Sequence, residues 1–138
     1  MIARLAAFLF SALLAGSALA EEPKAFACTF STGLAHVYEK GHFVTEQAAP
    51  IAFGIEAIDD AAQTADLKMP RGSGRLKIVR AVNATHFLEV VTEGFLNITT
   101  IYDKDETKGS YPAVHSRHFG LLGQPIVSQY QGFCEPKE

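Results

Sequence analysis

Short runs of alternating apolar and polar residues, separated by turn-forming residues, most limit what this chain can fold into. Ile51, Phe53, Ile55 and Ala57 are apolar at every second position, and Leu76 and Ile78 alternate with Arg75 and Lys77. A period of two puts successive side chains on opposite faces of a strand. Residues 85–92 and 95–102 are rich in β-branched and aromatic side chains, which suit a pleated surface. Turn chemistry falls between the runs at Asn83-Ala84, at Glu93-Gly94 and across residues 104–109. No stretch shows a capped i, i+3, i+4, i+7 pattern. Residues 58–67 come nearest, because Asp59-Asp60-Ala61-Ala62 suits a short helix start. The reading places strands at 25–31, 34–40, 43–47, 51–58, 64–69, 74–82, 85–92, 95–103, 110–119 and 125–133. Eight to ten short strands with short connections predict an all-β domain, a small antiparallel barrel in meander order or else a β-sandwich.

Residues 1–20 stand apart from this pattern. Arg4 supplies one positive charge, residues 5–14 are apolar apart from Ser11, and Ala18-Leu19-Ala20 has the small-x-small form of a cleavage site. The apolar run is too short to span a bilayer and reads as a signal peptide. The expectation is cleavage after Ala20 and export to the periplasm or beyond. A single all-β domain over residues 21–138 remains, with no membrane span. Neither a twin-Arg pair nor a cysteine at the cut points to another route.

Two cysteines flank the strand-rich region, Cys28 near its start and Cys134 near its end. In an exported chain two such cysteines pair. Their bond would tie the first strand to the last, which fits a closed sheet whose first and last strands are neighbours. No CxxC motif or positive environment suggests a reactive thiol instead.

The net charge of −3, with 12 Lys+Arg against 15 Asp+Glu, argues against a nucleic-acid binder. No P-loop, dinucleotide fingerprint, HExxH, EF-hand loop or CxxC pair is present, so no cofactor or metal is expected. Residues 111–119 hold the densest set of reactive side chains: His115, Ser116, Arg117 and His118. Residues His115 and His118, three apart on a strand, point to opposite faces, which disfavours a shared metal. Ser116 has no nucleophile-elbow context and points away from either neighbour.

If Glu93-Gly94, Asn83-Ala84 and residues 104–109 close tight hairpins, Thr92 opposes Phe95, Val82 opposes Thr85 and Tyr102 opposes Tyr111. That register predicts one inward polar patch of Arg80, Glu89, Tyr102, His115 and Arg117, with His118 outside. Two Arg and one carboxylate would favour an anionic ligand, since Arg forks match carboxylates. The expectation is therefore an exported, non-enzymatic β-barrel that binds a small anionic ligand or an exported or envelope protein partner. Two alternatives stand beside it. One is an inhibitor of a secreted or periplasmic hydrolase presenting residues 120–125. The other is a hydrolytic or metal enzyme using His115, Arg117 and His118.

Overall fold

The computed structural model describes residues 21–90, 94–121 and 123–138. The expected signal segment, residues 1–20, lies outside them. Among the described residues are nine strands: β1 (Phe26–Glu39), β2 (His42–Gln47), β3 (Ile51–Asp59), β4 (Thr64–Met69), β5 (Gly72–Arg80), β6 (Ala84–Val90), β7 (Leu96–Tyr102), β8 (Tyr111–Leu121) and β9 (Gln124–Pro136). Alternation in sequence becomes alternation in burial. Phe26, Cys28 and Phe30 of β1 are buried between exposed Ala27 and Thr29, as are Leu76 and Ile78 of β5 between exposed Arg75, Lys77 and Val79. Burying each large aliphatic or aromatic side chain contributes roughly 1.5–3 kcal/mol.

From β3 to β9 every strand pairs antiparallel with the next, and β1 pairs with both β3 and β9. This closes β1 and β3 to β9 into an eight-stranded antiparallel barrel, so the sandwich alternative falls. β2 stands outside the circuit and pairs with the second half of β1. The Cys28–Cys134 disulfide joins directly opposed residues of β1 and β9, with Cα atoms 4.0 Å apart. No helix among the described residues is long and apolar enough to cross a membrane.

Segments 25–31 and 34–40, expected as two strands, are one. β1 runs through a bulge between Thr29 and Thr32 instead of turning. Gly132 on β9 makes this path available, because a Cβ there would collide with the Thr29 carbonyl. The bulge also exchanges faces: even-numbered residues point inward before it, whereas Gly33 and Ala35 align with inward Tyr130 and Ser128 after it. A second bulge in β3, with Ala57 at φ 49°, brings Ile58 into the core. The expected helix start at residues 59–62 is a turn, in which the Ala62 N–H donates to Asp59 Oδ1 at 2.9 Å.

The hairpin registers differ from the expected ones in an instructive way. Glu89 opposes Asn97, one residue from the tight-turn prediction, and Asn97 opposes Arg117, one residue off in the opposite sense. A one-residue slip inverts a strand's faces. β7 is therefore inverted, with Asn97, Thr99 and Ile101 inward instead of Leu96, Ile98, Thr100 and Tyr102. The two slips cancel for β8, whose Ala113, His115 and Arg117 do face inward. Between β5 and β6 the slip is two residues, with Arg80 opposite Thr85, and the inward face of β5 is unchanged. Of residues 120–125, expected as a loop, Gly120 and Leu121 continue the ladder opposite Pro125 and Gln124.

Candidate functional site

The barrel has two mouths, and the five predicted site residues divide between them. Glu89, His115 and Arg117 line a cavity of about 470 Å³ at the end where β2 stands. Arg80 and Tyr102 lie at the opposite mouth, beside a cavity of about 530 Å³ that Glu22, Phe26 and Tyr111 also line. A single patch of five does not form. Tyr102 is exposed because β7 is inverted relative to the expected register.

Arg80 is already occupied. Its Nη1 donates to Thr85 Oγ1 at 2.6 Å, its Nη2 to Glu22 Oε2 at 2.8 Å, and its Nε to Asp60 Oδ1 at 3.1 Å. The Arg80 hydrogen bonds hold the Asp60 carboxyl below its usual range. With Lys24 pairing Asp60 at 3.3 Å, these contacts strap residues 21–25 across that mouth. The groups are exposed, so each pair is worth about 0–1 kcal/mol.

The cup at the β2 end is built in three layers, each a row of residues opposed across adjacent strands. Its floor is Thr99, His115 and Tyr130, running from β7 to β9. His115 is 7% exposed, its Nδ1 hydrogen-bonded to Thr99 Oγ1 at 2.9 Å and its ring 5.0 Å from that of Phe53. Burial, helped by the Arg117 charge, pushes its pKa down to about 4, so the floor is neutral at physiological pH. Above it lies a polar belt of Glu89, Asn97, Arg117 and Ser128 on β6, β7, β8 and β9. Above that is an apolar rim: Phe119, Ile126, Val37 and Val44 oppose one another in turn from β8 to β2, and the Phe95 ring packs 5.2 Å from Phe119. Ile51, Phe53, Leu67 and Met69 complete the wall.

The belt is incompletely satisfied. Asn97 Nδ2 donates to Glu89 Oε2 at 2.7 Å, which turns Asn97 Oδ1 away from the carboxylate. That oxygen is buried and has no hydrogen-bond partner among the described residues. An unmade bond of this kind costs about 1–3 kcal/mol. The Glu89 carboxylate lies against Gly74, where any Cβ would collide with Oε1. The Arg117 guanidinium has no hydrogen bond or ion pair among the described residues, and its Cζ sits 5.8 Å from the Phe119 ring centroid.

Protein-family models, curated proteins and solved structures were compared with this chain. None matches. The chemistry of the site therefore rests on these residues alone. Ser116 and His118 are outside the cup: His118 is exposed, and Ser116 opposes outward Ile98. No group of three or more His, Cys, Asp or Glu side chains among the described residues is placed to hold a metal. The arrangement suits recognition: an apolar cavity within the usual range for small ligands, with a few convergent polar groups.

Sequence reasoning missed Asn97. Its signal was visible, since Asn97 and Thr99 are polar at alternate positions of an otherwise apolar strand. Hydropathy alone assigns such residues to the outside, and here they line the interior.

Proposed function

We propose that this chain is an exported binding barrel that takes a small amphipathic acid into the cup at the β2 end. The observation that carries this reading is Arg117, a guanidinium with no hydrogen-bond or ion-pair partner among the described residues, lying over the Phe119 ring in the belt of an apolar cavity. A carboxylate would pair with its fork, while the ligand's apolar body would lie against Phe95, Phe119 and Ile126. The signal-like residues 1–20 and the disulfide support export.

The test is a titration of the ¹⁵N-labelled protein with 3-phenylpropanoate, followed by amide shifts. Shifts should concentrate on residues 95–99 and 115–119. Arg117→Ala should weaken binding by about 1–3 kcal/mol, and His118→Ala should leave it unchanged. Shifts confined to the outer face, or an Arg117→Ala variant that binds like wild type, would overturn the reading.

A second reading, inhibition of an exported hydrolase, is favoured by one observation. Among the described residues β8 and β9 stay paired as far as Leu121 and Gln124, past the last β7–β8 strand pair at His118, which favours a hairpin that reaches beyond the barrel circuit. Replacing residues 120–125 would then abolish inhibition without altering acid binding in the cup.

A further inference from the structure

The belt holds more than an anion site. Glu89 and Arg117 sit in one row across β6, β7 and β8 with Asn97 between them, and they form no ion pair with each other. Two strand spacings, roughly 9–10 Å, separate their backbones. One end of the row is a carboxylate, the other a guanidinium, and the floor below is neutral.

The carboxylate is held in place from two sides. Asn97 Nδ2 donates to its Oε2, and Gly74 on β5 leaves the space in which it lies. Oε1 has no hydrogen-bond partner among the described residues, and Asn97 Oδ1 has none either. At this end the row therefore offers the open Glu89 Oε1 as an acceptor, with the buried Asn97 Oδ1 behind it; at the Arg117 end it offers the guanidinium donors, with only the Ser128 hydroxyl opposite. A plain carboxylic acid answers one end and leaves a negative charge facing Glu89. A plain amine answers the other and faces Arg117.

We infer that the ligand's head is a zwitterion whose cationic nitrogen carries N–H donors, as in an α-amino acid with an apolar side chain. This rests on the reading of the cup as an acid site and names the acid's class. The carboxylate would meet Arg117, the ammonium would meet the Glu89–Asn97 end, and the side chain would lie against Phe95 and Phe119. A quaternary ammonium zwitterion has no N–H to give and should bind more weakly.

Three matched probes test the inference on the full domain: L-phenylalanine, 3-phenylpropanoate and 2-phenylethylamine. The amino acid should bind at least about ten-fold more tightly than either of the others, with amide shifts in the cup. N,N,N-trimethyl-L-phenylalanine should lose most of that advantage. Glu89→Gln should remove the preference for L-phenylalanine over 3-phenylpropanoate, and Arg117→Gln should weaken both acids. Gly74→Ala should act like Glu89→Gln, because it displaces the carboxylate without changing any charge.

If 3-phenylpropanoate binds as well as L-phenylalanine and Arg117→Gln weakens it, the zwitterion falls and the acid site stands. If 2-phenylethylamine matches L-phenylalanine, or no probe shifts the cup amides, both fall.

Discussion

His115 shows how one residue's surroundings settle what it can do. Packed among Phe30, Phe53 and Tyr130 and bonded to Thr99, it stays neutral in the folded protein down to about pH 4. In the unfolded chain it takes up a proton near its ordinary value of 6.5. The unfolded state therefore binds more protons between those pH values. The stability His115 contributes is complete above about pH 6.5 and is lost as pH falls toward 4, about 3 kcal/mol in all. Denaturant unfolding at steps across that window should show the loss, and His115→Phe should flatten it. Asp60, Asp105 and Glu56, held below their usual range by Arg80, Thr107 and Lys137, add a loss of the same sign at lower pH.

At the scale of elements, bulges and glycines decide which faces meet. The β1 bulge lies against Gly132, where the neighbour that would meet a Cβ is backbone and cannot swing aside. Gly132→Ala should destabilise the barrel by roughly 2–4 kcal/mol, at the upper end of overpacking costs. At Gly74 the obstructing atom is the end of the Glu89 side chain, which can move. Gly74→Ala should leave the thermal midpoint within a few degrees of wild type. Equal losses of stability for the two variants would contradict this account of the bulge. β2 follows from the same geometry: after the bulge β1 leaves β3, and its second half finds a partner through the Lys40-Gly41 turn, where both φ values are positive.

For the whole molecule, closure is the central fact. The β1–β9 ladder joins the ends of the sheet, and the disulfide fixes residues 106 apart in sequence. In the chain-entropy account, a loop of that length stabilises by roughly 4–5 kcal/mol. A Cys28→Ala, Cys134→Ala double variant should lose stability of that order while keeping its β circular dichroism, because the ladder remains. The intact mass of protein recovered from the exported fraction should correspond to residues 21–138 with one disulfide. Two free thiols or a retained Met1 would count against the disulfide or the processing.

The chain's own alternation determined the strand content, and two cysteines at the ends of the strand-rich region determined which strands must meet. Local pattern suffices for these because side-chain period and loop closure are properties of sequence order. The inward placement of His115 and Arg117 was legible too, but through two register slips that cancelled. The tertiary structure decided the remainder. Whether a turn spans two residues or three depends on how the flanking strands pack, and a single residue exchanges Asn97 for Ile98 in the interior. Arg80 and Glu89 share an inward strand face in sequence, yet they serve opposite mouths, because position along a strand sets depth in the barrel. Periodicity distinguishes faces and is blind to depth; only the paired strands place Glu89, Asn97 and Arg117 in one row.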